Sequence, residues 1–218
     1  NVLAATAFGA ECLDFARVAA GRLSVGLVND ATSKTASSIL SSAMRSDAGL
    51  VVVPGGIGSD VLSALVDGDG MHASLAIAVV SGKGSTALDA MLLPLFDDEP
   101  AARTGLAWAC TLAAAAGPQG LVAAVELSSP TTRQQARRLA GDAHDPEEVR
   151  RASVGRAVSA RLGSLVAALQ KHALSRGYAV RVSFHPGWPR REILNALTSL
   201  ARSATVILGR DGLPAAQG

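Results

Sequence analysis

Pro54-Gly55-Gly56-Ile57-Gly58-Ser59 is the run whose residue types come nearest to chemistry. It follows the apolar run Gly49–Val53 and precedes the helical pattern Val61–Val66. A glycine-rich turn between a strand and a helix lets backbone N–H groups approach a phosphate. The helix N-terminus adds the positive end of its dipole. The run lacks the lysine of a P-loop. A tight strand-to-helix turn is the plainer account, because glycine suits such turns, and we favour it. Asp97-Asp98-Glu99 offers carboxylates for a metal or for acid–base work. Its plainer account is a helix N-terminus, where acidic groups suit the dipole and cap free N–H groups. Cys12 and Cys110 fall at apolar helical positions and no Cys-x-x-Cys occurs, so both read as small buried residues. His72, His144, His172 and His185 are scattered without metal-ligand spacing. Arg133, Arg137, Arg138, Arg150, Arg151, Arg156 and Arg161 are interleaved with Asp142, Asp145, Glu147 and Glu148, with no aromatic among them. That pattern reads as a solvated, ion-paired helix face rather than a nucleic-acid stripe, which wants stacking rings.

These residues need elements to hold them. Val2–Thr6, Leu23–Val28, Gly49–Val53 and Leu75–Val80 read as short apolar strands. Cys12, Phe15, Ala16 and Ala19 recur at helical spacing, and Ala36–Met44 places Ile39, Leu40 and Ala43 on one face. Val61–Val66 reads as a short helix capped by Ser59 or Asp60. Further on, Met91–Phe96, Gly120–Leu127, Tyr178–Phe184 and Thr205–Leu208 read as strands, the last ended by Gly209. Glu99-Pro100 opens a helix to Ala116, with proline near its first turn. Helices are also expected from Pro146 to Ser175 and over Arg191–Ala201, with a polar loop over Ser128–Asp145. Unbroken apolar strands alternating with helices predict a parallel sheet buried on both faces.

Composition bounds the rest. The chain has 218 residues, 49% of them apolar and 17% charged. Disorder needs the reverse balance. Alanine supplies 42 of the apolar residues, so Leu, Val and Ile must build the core between closely packed helices. No apolar stretch reaches the roughly 20 residues of a membrane span. Residues 1–89 hold 5 Lys/Arg against 8 Asp/Glu, and residues 90–218 hold 15 against 10. This change of sign falls near the turn-forming run Ser81-Gly82-Lys83-Gly84-Ser85. We therefore expect two α/β units, 1–83 and 84–218, and Ser46–Gly55 parallels Arg202–Gly209 as an internal repeat.

Residues 90–212 resemble the universal stress protein family. The residues that carry the resemblance are Leu92-Leu93-Pro94-Leu95-Phe96-Asp97-Asp98-Glu99-Pro100-Ala101, then Ser175-Arg176-Gly177-Tyr178-Ala179-Val180, then Gly187-Trp188-Pro189-Arg190-Arg191-Glu192-Ile193-Leu194. Residues 1–80 resemble the same fold as a shortened copy. The resemblance implies two tandem doubly wound, Rossmann-like parallel sheets. Nucleotide-binding members of the family end their first strand on an acidic residue. They carry Gly-x-x-Gly after the fourth strand, followed by Gly-Ser or Gly-Thr. Here Phe96 stands at the acidic position with Asp97 beside it. Gly209-Arg210-Asp211-Gly212 matches Gly-x-x-Gly, but no Gly-Ser or Gly-Thr follows. The resemblance thus implies Asp97, Gly209 and Gly212; with Gly55, Gly56, Gly58 and Ser59 of the glycine run, whose spacing is not the family's, they make up the candidate site, in degenerate form.

Functional expectations follow from that resemblance. The chain reads as a non-enzymatic regulatory domain without a bound cofactor. ATP or AMP binding by a free-standing stress protein is the alternative. Tandem units resembling this family occur in the cytosolic parts of cation/proton antiporters, amino-acid permeases and cation–chloride cotransporters. Asn1-Val2-Leu3 and Leu13-Asp14-Phe15-Ala16 resemble the start of the last group's cytosolic domain. The chain begins without Met, which suggests a piece of a larger protein. The expected compartment is the cytoplasm, as a domain of an inner-membrane transporter. Expected partners are proteins, its own membrane domain or a second copy of the chain, and not nucleic acid. An α/β enzyme is the third reading. Arg103–Glu126 is similar to a riboflavin-pathway synthase, but Leu106 and Trp108 stand where that chemistry needs His and Glu.

Overall fold

The computed structural model describes residues 1–67, 74–80, 90–95, 99–127, 167–185 and 205–210. The N-terminal elements are β1 (Val2–Ala5), α1 (Cys12–Leu23), β2 (Leu27–Asp30), α2 (Ala36–Arg45), β3 (Leu50–Pro54), α3 (Ser59–Asp67) and β4 (Leu75–Val80). Then come β5 (Ala90–Leu95), α4 (Glu99–Ala116), β6 (Leu121–Leu127), β7 (Ala179–His185) and β8 (Thr205–Arg210). Residues 167–176 are helical. The fold is mixed α/β, built on one eight-stranded sheet in the order β2-β1-β3-β4-β8-β5-β6-β7. Among the described residues every strand pairing is parallel except one. β4 and β8 run antiparallel, from Leu75 opposite Arg210 to Val79 opposite Val206.

Alternation along each strand divides the core in two. Val2, Ala4, Leu50, Val52, Ala76 and Ala78 point to the side covered by α1 and α4. Leu3, Ala5, Val51, Val53, Ile77 and Val79 point to the side covered by α2 and α3. All of these strand residues are fully buried. This is why β1, β3 and β4 read as unbroken apolar runs rather than alternating ones. The helical periodicity is equally direct. Cys12, Phe15, Ala16 and Ala19 line the buried stripe of α1, and Ile39, Leu40 and Ala43 that of α2. Thr35 starts α2 with a reciprocal capping box: Ser38 N–H donates to Thr35 Oγ1 (3.2 Å) and Thr35 N–H to Ser38 Oγ (3.1 Å).

Two expectations are corrected. A strand over Leu23–Val28 is displaced: α1 continues through Leu23 and ends at Ser24 in the left-handed region (φ 54°). Ser24 N–H then donates back to Ala20 and Gly21 carbonyls, and β2 starts only at Leu27. Pairing sets that start, because Val2 N–H takes Gly26 O at 2.8 Å and Val2 lies opposite Leu27. The strand expected to stop at Gly209 continues through Arg210. The β4–β8 pair is the junction at which β1–β4 and β5–β8 join edge to edge within one sheet. The Ser81–Ser85 run, the Ser128–Asp145 loop, the arginine-rich face and the Arg191–Ala201 helix lie outside the described residues. So do His72, His144, Asp97 and Gly212.

Tight packing locks the junction. An added Cβ on Gly209 would collide with the Ala101 carbonyl oxygen and lie 2.6 Å from Gly105 N. At Gly49, just before β3, it would lie 2.7 Å from the ring of Trp108 on α4. Arg210, 3% exposed, donates from its guanidinium to the Leu65 carbonyl of α3 at 2.7 Å. A cation at the last turn of a helix satisfies a free carbonyl and suits the dipole.

Candidate functional site

From β1 the chain winds outward to β2, then returns to place β3 on the other side of β1. Doubly wound sheets bind ligands at such a reversal, beyond the carboxyl ends of the strands. Three loops therefore define the candidate site. They follow β1 (Thr6–Glu11), β2 (Ala31–Thr35) and β3 (Gly55–Gly58).

The β3 loop holds the glycine run. Gly55 N–H donates to the Val80 carbonyl at 2.6 Å, tying the turn to the end of β4. Ile57 N–H closes the turn on Pro54 O at 3.0 Å, and its side chain is buried in the core under α2 and α3. α3 begins at Ser59, so Ser59 is the first helical residue, and Leu62 N–H reaches the Gly58 carbonyl at 3.0 Å. Gly56 and Gly58 are exposed, and a Cβ on either would meet nothing within 4 Å. Neither occupies the left-handed region. Backbone geometry and packing therefore leave both glycines without a structural requirement.

The β1 loop is a single 3-10 turn, Thr6–Phe8, closed by Gly9 N–H on Thr6 O. Gly9 takes φ 152°, and the Glu11 carboxylate folds against it where a side chain would stand. Glu11 is the residue before α1 and makes no side-chain capping bond. Burial, reinforced by the Glu11 charge, pushes the Cys12 thiol up to about 11. That thiol is a poor nucleophile at neutral pH.

The β2 loop is organised by Asp30, which is buried. Its carboxylate accepts from Thr32 N–H (3.0 Å), Thr32 Oγ1 (3.1 Å), Ser33 N–H (3.0 Å) and Ser33 Oγ (2.7 Å). Burial alone would raise its pKa. The bonds from Ser33, Ser42 and the Thr32 and Ser33 amides outweigh it and hold the carboxyl well below the usual carboxylate range. Asp30 is therefore an ionised, internally satisfied clamp. Beside it, Thr6 Oγ1 donates to Asn29 Oδ1 at 2.6 Å and ties the β1 loop to β2. Sequence reading passed over Asp30. Its signal was the Asp-x-Thr-Ser pattern after a strand, a side chain turning back on its own backbone.

Electrostatics at this end of the sheet disfavour an anion. The three loops, the last residue of β2 and the first turn of α3 contribute Glu11, Asp30 and Asp60 against Lys34. Glu11 at α1 and Asp60 at α3 stand at the two helix N-termini where a phosphate would otherwise be drawn.

The remaining candidates sit elsewhere. Gly209 is inside β8 and faces α4, not a turn, so it is removed from a phosphate role by the close approach of Ala101 and Gly105. Cys110 on α4 lies beside Tyr178, whose hydroxyl is 2.8 Å from His172 Nδ1. Burial, then the Cys110 thiol, raises the Tyr178 phenol above its ordinary range. Burial also raises the Cys110 thiol, partly offset by the Tyr178 hydroxyl. Among the described residues no three His, Cys, Asp or Glu side chains gather as a metal site requires, and no helix is long and apolar enough to cross a membrane. Compared with family models, curated proteins and solved structures, the chain matches none.

Proposed function

We propose that this chain is a non-enzymatic regulatory domain made of two tandem units of universal-stress-protein-like fold, with a nucleotide site that no longer accepts nucleotide. One observation carries the last part: Glu11 and Asp60 set carboxylates at both helix N-termini of the β1–β3 crevice. The tandem arrangement is supported by the strand order. It divides at the antiparallel β4–β8 pair into β2-β1-β3-β4 and β8-β5-β6-β7. The regulatory reading is supported by the junction itself. Two-unit enzymes often close on substrate between their halves, whereas here that position is occupied by the β4–β8 ladder and the buried side chains of α3 and α4. The sequence resemblance supports reading it as a cytoplasmic domain attached to a membrane transporter.

Calorimetry with ATP and AMP tests the reading. We expect no heat of binding and no nucleotide released from the denatured protein. Saturable micromolar binding would overturn it. The surrounding reading frame tests the transporter version, which requires hydrophobic spans in the same polypeptide.

A nucleotide-binding stress protein is the second reading. The specific observation in its favour is that Gly56 and Gly58 have open space where a Cβ would stand, as a closely approaching phosphate would need. It predicts binding that Gly56→Ala abolishes while the fold is retained.

A further inference from the structure

We draw no further inference here: the strongest candidate, the His172–Tyr178–Cys110 cluster between α4 and the helical residues 167–176, brings one imidazole and one thiol to a buried phenol that already bonds them, and nothing beside it points to a ligand it would hold.

Discussion

Replacing Gly209 by alanine separates a packing role from a phosphate role. The added methyl would overlap the Ala101 carbonyl oxygen and lie 2.6 Å from Gly105 N and 2.7 Å from the Ala101 carbonyl carbon. Comfortable carbon contacts are about 3.5–4.0 Å. All three neighbours are backbone, so no rotamer change relieves the overlap. α4 must instead move off β8, and with it Ala102, Leu106 and Ala109, which are buried in the shared core. Overpacking a filled core costs about 1–3 kcal/mol, occasionally more. Here the backbone itself is displaced, so we expect about 3 kcal/mol or more. A chain of this size loses about 2–4 °C of Tm per kcal/mol, which gives a fall of about 6–12 °C. Thermal and urea unfolding followed by circular dichroism would measure it, with an unchanged urea m-value showing that the unfolded state is the same. Gly56→Ala is the control. With open space and no left-handed backbone, it should leave stability unchanged or raise it by about 0.4–1 kcal/mol through the unfolded chain. A Gly209→Ala loss below about 1 kcal/mol would refute the packing argument. It would return Gly209 to the candidate site.

Arg210→Met keeps the aliphatic stem but removes the charged donor to Leu65 O; we expect a loss of about 1.5–3 kcal/mol in urea melts, and a change under 0.5 kcal/mol would show the bond to be idle. Asp30→Asn should cost about 1–3 kcal/mol at pH 7. The folded carboxyl is held below its unfolded value of about 3.9, so this stabilisation is complete above about pH 5 and declines as pH falls through and below about 4. The gap between wild type and Asp30→Asn should therefore narrow from pH 7 to pH 3, and a constant gap would contradict the clamp. Tyr178 is the single tyrosine of the chain, so near-UV absorbance reads its ionisation alone. The native protein should show little phenolate at pH 10, where free tyrosine is half ionised. Its stability should fall as pH rises past that value, because the unfolded chain gives up the proton first; native ionisation at pH 10 would refute the buried placement. Amide exchange in β4 and β8 should proceed only through global unfolding, and faster exchange there than in β1 and β3 would show the two halves parting on their own.

Much of the fold was legible because its signals are local. The Val/Leu runs of β3 and β4 and the Glu99-Pro100 start of α4 match the observed bounds closely. Glycine near the end of each run and proline in the first turn of α4 fix chain direction without any tertiary contact. The α1–β2 boundary was misread because Ser24, not glycine, takes the left-handed position. Without glycine at the helix end, Leu23-Ser24-Val25-Gly26-Leu27-Val28 reads as one strand. The antiparallel β4–β8 pair was hidden for a different reason. A strand buried on both faces has the same composition whichever way its neighbour runs, so direction is decided by connection lengths and not by residues.

The candidate site shows the same limit more sharply. Gly55–Ser59 and Gly209 look alike in sequence, each closing an apolar run. A glycine that ends a strand and a glycine that admits a crossing helix differ only in what lies opposite. For Gly209 that partner is Ala101–Gly105, more than a hundred positions away. Electrostatic cost is non-local in the same way. Glu11, Asp30 and Asp60 are unremarkable helix-start and turn residues one at a time. Only the β2-β1-β3 order brings their loops to one end of the sheet. An anion entering there would meet the positive ends of two helix dipoles, each worth about 0.3–1 kcal/mol to a nearby charge. It would also meet two carboxylates already placed to take up that attraction. The crevice between β1 and β3 therefore has charges that favour leaving it to water over an anion.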